Sequence, residues 1–123
     1  MDLYSEIILD YYKHPRNKGE MAACDAQAEE HNPLCGDKIK VQLQIENDQI
    51  IKAQYSGEGC AISQAATSML TEHIEGKTLE EVKSMETQDI LDLLGLDISP
   101  GRIKCALLGL ATTKKALILH KHA

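Results

Sequence analysis

The chain has 123 residues, 43% of them hydrophobic, and a formal net charge of −6. That is one domain's length with enough apolar side chains to bury a core, so residues 1–123 are expected to form a single ordered domain. Its Lys and Arg are scattered among acids with no basic stripe, no apolar run approaches the roughly 20 residues of a membrane span, and the acidic start Met1-Asp2-Leu3-Tyr4-Ser5-Glu6 lacks the basic opening of a signal peptide, so neither nucleic acid nor membrane is an expected partner and the expected location is cytoplasmic.

Leu3, Ile7, Ile8 and Tyr11 recur at helical spacing and predict a helix over 2–13, capped by Asp2. Pro15 disfavours a helical His14 and ends it. Residues 21–31 are small and acidic; the reading is an irregular edge strand, then a loop through Asn32-Pro33-Leu34-Cys35-Gly36-Asp37. The period then changes to two. Ile39, Val41, Leu43 and Ile45 alternate with polar residues, the pattern of a strand with one buried face. Asn47-Asp48 is turn chemistry, and residues 50–56 read as the returning strand.

Gly57-Glu58-Gly59-Cys60 breaks that strand, and helical spacing resumes from Ala61 through Ile74, with Gly76 suited to the C-terminal cap. Thr78 and Glu81 form a capping box for a short helix, residues 87–94 make another ending before Gly95, and Ser99-Pro100 opens a last helix over about 101–119. Its apolar stripe is Ile103, Ala106, Leu107, Leu110, Leu117 and Ile118. The expected architecture is α+β: a small antiparallel sheet of three strands, helices packed on one face, and a long C-terminal helix.

There are four Cys and no Trp or Phe. In a reducing compartment, thiols serve as metal ligands, nucleophiles or small core residues more often than as disulfides. Three of the four fall at element edges: Cys35 in the loop before the main strand, Cys60 between a strand and a helix N-terminus, and Cys105 in the first turns of the last helix. A helix N-terminus stabilises a thiolate at Cys60. Gly57, Gly59 and Gly36 leave the sulfurs of Cys60 and Cys35 accessible, and Arg102 and Lys104 stand near Cys105. Asp37 supplies a hard oxygen ligand beside Cys35. Three thiolates and a carboxylate suit tetrahedral zinc, and equally iron–sulfur ligation with aspartate as the weaker fourth ligand.

Blander readings stand beside these. A cysteine is often a small buried hydrophobe, and Asp37 alone reads as a turn residue. Cys24, among small residues, reads as a passive, partly buried thiol. His31 is the best outside candidate for a ligand but reads as a surface loop residue. His14 reads as structural, His73 as half-buried on a helix, and His120 and His122 as a solvated tail.

Cys35-Gly36-Asp37, Gly59-Cys60-Ala61-Ile62-Ser63, Arg102-Ile103-Lys104-Cys105 and the opening Tyr11-Tyr12-Lys13-His14-Pro15-Arg16-Asn17 together resemble the IscU/SufU/NifU N-terminal family of iron–sulfur assembly proteins, in order along nearly the whole chain. The resemblance implies a small antiparallel sheet with helices on one face. It implies that persulfide sulfur comes from a PLP-dependent cysteine desulfurase, with Cys35 and Cys105 as candidate acceptors. It implies Cys35, Asp37, Cys60 and Cys105 as ligands of iron or a [2Fe–2S] cluster passed on to recipient apoproteins, or of zinc in a sulfurtransferase. Such a protein is a scaffold or carrier more than an enzyme. Lys104 stands where IscU-type members carry His, and Asp97-Ile98-Ser99-Pro100-Gly101 replaces their Leu-Pro-Pro-Val-Lys segment, so handling by an Hsp70-type chaperone is not carried over. The motifs are SufU-like, whereas the length is IscU-like. A purely structural zinc domain is the remaining reading; the aspartate and the glycine-hinged loops argue against it, because closed structural sites use four Cys or His ligands.

Overall fold

The structure is a computed structural model that describes residues 3–33, 36–95 and 100–121. Helix α1 spans Leu3–Lys13, strands β1, β2 and β3 span Ala26–Asn32, Asp37–Glu46 and Gln49–Glu58, and helices α2, α3 and α4 span Ala61–Ile74, Leu79–Lys83 and Thr87–Leu94. A single 3-10 turn at Pro100–Arg102 leads into α5, Ile103–Lys121. The three strands form one antiparallel sheet in the order β1-β2-β3. This is the α+β architecture expected, with the long helix at the C-terminus.

Period-two alternation sets the sheet's inner face. Ile39, Val41 and Leu43 are fully buried, and Ala26, Ala28, Ile50, Ala53 and Tyr55 join them from the flanking strands. Helix α5 lies across β1 and β2, and α2 lies over β3, so both cover the same face. The β2–β3 turn places Asn47 and Asp48 at φ 52° and 60°, the paired left-handed residues of a two-residue hairpin whose twist matches the strands.

The opposite face is not bare. Residues 17–19 pair with the outer edge of β3: Gly19 N–H donates to Tyr55 O (2.8 Å), and Tyr55 N–H donates to Asn17 O (3.0 Å). The chain then crosses the sheet as a strap. Met21 N–H donates to Gln42 Oε1 at 2.8 Å, Lys40 pairs with Glu20, and Asp25 N–H donates to Leu43 O. Gln42 therefore faces outward yet is buried. Expected as part of an irregular edge strand over 21–31, the segment divides into this strap and a regular β1 over Ala26–Asn32. Its backbone demand is met by outward polar side chains of the sheet, a satisfaction that period and propensity do not register.

The expected caps of α2, α3 and α4 are found; Asp2 and Ser99, expected to cap the first and last helices, lie outside the described residues. Thr78 and Glu81 close the capping box of α3, and Gly76 (φ 88°) and Gly95 (φ 70°) occupy left-handed positions at the ends of α2 and α4. Of its expected stripe the last helix buries Ala106, Leu110 and Leu117, leaves Ile103 and Leu107 half-buried, and exposes Ile118 (56%). No helix among the described residues is long and apolar enough to cross a membrane.

Candidate metal centre

Asp37 is the first residue of β2, paired with Asn32, not a loop residue. It continues the inward series 39, 41, 43, so its carboxylate points to the helix-covered face and is 1% exposed. An unpaired carboxylate there would be costly. The partner comes from the β3–α2 junction: Cys60 N–H donates to Asp37 Oδ1 at 2.9 Å. The other carboxylate oxygen, Oδ2, lies 3.7 Å from Cys60 Sγ.

Cys60 is the N-cap of α2, with extended backbone (φ −70°, ψ 164°). Its sulfur takes the place usually held by a Ser or Asp oxygen and accepts from Ser63 N–H at 3.5 Å. Ser63 is fully buried and its hydroxyl donates back to Cys60 O at 3.2 Å. The thiol is thus held at a positive helix end by its own cap geometry. Gly59 is required for a reason separate from backbone freedom. A Cβ at residue 59 would fall onto Asp37 Oδ1 and within 2.7 Å of Ser63 Oγ. Gly57 has the conformational reason: its φ is 128°, and a Cβ would strike the carbonyl of Lys38.

Cys105 sits in the first turn of α5 and is 3% exposed. Its sulfur, Cys60 Sγ and a carboxylate oxygen of Asp37 all lie within 4.8 Å of one another. Three residues separated by up to 68 positions thus present two soft donors and one hard donor to one point. That set fits zinc or iron with a further ligand to come, since such ions take thiolate sulfur and carboxylate oxygen together. Cys35 lies outside the described residues. Its neighbour Gly36 is at φ 73° with open space around it, directly before Asp37.

The other sequence candidates lie elsewhere. Cys24 is half-buried on the strap, its Sγ 3.7 Å from both Gln27 Oε1 and Gln42 Nε2. His31 is exposed on β1 opposite Lys38, a strand residue in place of the expected loop residue. His73 is exposed, not half-buried, and lines a surface groove with Tyr11 and Leu93. His14 is exposed, and its N–H closes α1 on Asp10 O. His120 is docked by Nδ1 against Asp25 O at 3.1 Å, so it is anchored and not a free tail; His122 lies outside the described residues. Arg102 and Lys104 are exposed at the start of α5. Sequence alone assigns Ser63 no role, although its N3 spacing from an N-capping Cys60 is the signal that marks it.

The family profile described as "NifU-like N terminal domain" matches residues 3–122. The chain is 36% identical to the zinc-dependent sulfurtransferase SufU of Bacillus subtilis strain 168, with 94% of this chain and 89% of that protein covered. That alignment runs to 132 residues, longer than this chain, so the SufU carries positions with no counterpart here. It is 32% identical to the iron–sulfur cluster assembly scaffold protein IscU of Escherichia coli K12, covering 96% and 94%. Among solved structures, an iron–sulfur cluster assembly scaffold candidate of the SUF system, the SufU of Fervidobacterium islandicum AW-1, superposes with a TM-score of 0.79 at 31% identity, covering 93% and 96%.

Proposed function

The chain belongs to the NifU-like N-terminal domain family, and on that footing we propose that it is an iron–sulfur cluster assembly scaffold. In this reading it accepts sulfur from a cysteine desulfurase, holds iron and sulfur as cargo, and yields the cluster to apoproteins. The observation that supports it is the convergence of Asp37, Cys60 and Cys105 donor atoms within 4.8 Å. Cys35 would complete four ligands.

Sulfur arrives by thiol exchange. A thiolate of this chain attacks the terminal sulfur of a desulfurase persulfide, the bond to the desulfurase cysteine breaks, and that cysteine leaves as thiolate, with no net oxidation. Cys105 is 3% exposed, so an incoming persulfide reaches it only after the site opens; Cys35 is the other candidate acceptor. Asp37 suits a cargo that must leave: one oxygen is committed to Cys60 N–H, leaving the other as a single hard ligand among soft ones.

A second reading is favoured by the SufU relative at 36% identity. There zinc is resident, would be held by Cys35, Asp37, Cys60 and Cys105, and would keep the thiols as thiolates. One experiment decides. Protein incubated with iron, cysteine and a desulfurase should gain visible sulfide-to-iron absorption, and Cys60→Ser should lose it. If the wild type gains none but raises desulfurase turnover only when zinc-loaded, the scaffold reading fails and the sulfurtransferase reading stands.

A further inference from the structure

Helix α5 carries Gly109 in its interior, where glycine is destabilising relative to alanine and needs a reason. The reason lies on α2. A Cβ at residue 109 would stand 2.5 Å from Thr67 Oγ1 and 3.1 Å from both Cβ and Cγ2 of the same side chain. Thr67 therefore packs directly on the α5 backbone, and the two helices approach as closely as glycine permits. Thr67 is not free to swing aside. It is fully buried and β-branched, and its hydroxyl donates to Ser63 O at 2.8 Å.

On both helices this contact stands beside the metal centre. Gly109 follows Cys105 by four residues, about 6 Å along α5, so the two share a helix face. Thr67 follows Ser63 by four residues, and the Ser63 hydroxyl donates to Cys60 O at 3.2 Å. A path of direct contacts thus runs from Gly109 through Thr67 and Ser63 to Cys60, while one turn of α5 links Gly109 to Cys105. Two sulfurs on one zinc ion stand about 3.8 Å apart by tetrahedral geometry, and ligand distances tolerate shifts of only about 0.2 Å. The spacing of α2 and α5 at the sulfurs must then be fixed to less than the width of a methyl group.

We propose that Thr67 and Gly109 are positioning residues of the metal centre: their contact sets the separation of α2 and α5 and so brings Cys60 and Cys105 onto one ion. Neither supplies a donor atom. The inference rests on the reading of Cys60 and Cys105 as ligands. In a close-packed interior a methyl at residue 109 is accommodated by moving one helix from the other, and the sulfurs move with their helices.

The test reads metal binding by the full chain, with Zn2+ in chelator competition and Co2+ by its sulfur-to-metal absorption. Gly109→Ala is expected to bind Zn2+ about tenfold more weakly, the usual cost of disturbing a group that orients a ligand, and to shift or weaken the Co2+ spectrum. Thr67→Ala in the same chain makes room for the methyl and should restore affinity to within about threefold of wild type, since the two changes meet at one contact. Thr67→Val puts a methyl where the hydroxyl meets Gly109 and releases Ser63 O. It should weaken binding in the same direction, and it decides the matter if Gly109→Ala fails to fold. Thr78→Ala, destabilised at a remote helix cap, should bind as the wild type does. Wild-type affinity and spectrum in Gly109→Ala, or in Thr67→Val, would overturn the proposal. So would an affinity that falls equally in Thr78→Ala, because the loss would then follow stability alone. Cys60→Ser tells this failure from that of the ligand assignment. If it binds Zn2+ like the wild type, Cys60 is not a ligand and the proposal falls with the reading beneath it. If it loses Zn2+ while Gly109→Ala keeps it, only the positioning role falls.

Discussion

Asp37 combines two roles that mutation can separate. Its Oδ1 satisfies Cys60 N–H and so fixes the N-cap of α2, while Oδ2 faces the sulfur. Asp37→Asn keeps an oxygen acceptor and the volume but loses the anionic ligand. It is expected to fold with a near-wild-type circular dichroism spectrum and bind Zn2+ at least tenfold more weakly in a chelator-competition titration. Unchanged affinity would remove Asp37 from the ligand set. Gly59→Ala tests the same corner without touching a donor. The backbone of residue 59 is unstrained, so the added methyl acts by displacing Asp37 Oδ1 and Ser63 Oγ. The expected result is again a loss of metal affinity of tenfold or more, larger than its loss of stability; an intact site would show that this corner yields freely. At this scale the sequence was informative about identity and less so about role. Cys60 and Cys105 stand where their element edges implied. Asp37 belongs to the strand, and the odd-numbered series 37, 39, 41, 43 carries that information, although Asp after Gly is equally turn chemistry.

Elements whose signal is local were legible, and those defined by contact were not. The capping box at Thr78, the alternation of β2 and the left-handed glycines follow from neighbours in sequence. The strap over the outer face depends on Gln42, Lys40 and Leu43 across the fold, so no local pattern marks it. The cap invites a test with a pH arm. Thr78→Ala removes a bond worth about 1 kcal/mol, hence a fall in Tm of roughly 3–6 °C at neutral pH. Glu81 is held below the usual carboxylate range chiefly by Thr78 N–H and then by the Thr78 hydroxyl. A depressed carboxylate contributes stability above its unfolded pKa and loses it as pH falls through its folded one. The gap between wild type and variant should therefore narrow in acid, below pH about 4.5, as the bond from the Thr78 hydroxyl to the Glu81 carboxylate loses its charge; a gap constant from neutral to acid pH would assign the loss to the bond that the hydroxyl accepts from Glu81 N–H. The α2–α5 contact is another matter of close approach. A methyl at Gly109 would stand 2.5 Å from Thr67 Oγ1. Gly109→Ala should destabilise in urea by about 1–2 kcal/mol despite the better helix propensity of alanine. Thr67→Ala in the same chain should return part of that loss by making room, and if it does not, the two helices are not in register at this contact.

An ion held by the candidate metal centre would also fasten the whole molecule. Its described donors come from the first residue of β2, the N-cap of α2 and the first turn of α5, so an ion bound there ties the sheet to both helices that cover it. Sheet and helices meet mainly through apolar contact, and α2 brings to that interior five polar side chains: Ser63, Gln64, Thr67, Ser68 and Thr71, each 3% exposed or less. Such a helix gains less from burial than an apolar one of equal area, so the ion's contribution to its seating should be large relative to the rest. A ligand that binds the folded state alone stabilises it by about 2.7 kcal/mol at a hundred times its Kd, which for a domain of this size is a rise in Tm of roughly 10 °C. Zn2+ in excess should produce that rise in the wild type, chelator should reverse it, and Cys60→Ser should abolish most of it while leaving the metal-free Tm within a few degrees. Hydrogen exchange adds the spatial criterion: protection gained on metal binding should appear together at the start of β2, the first turns of α2 and the first turns of α5. Protection confined to one of the three would mean that the donors do not share an ion, however close the geometry brings them.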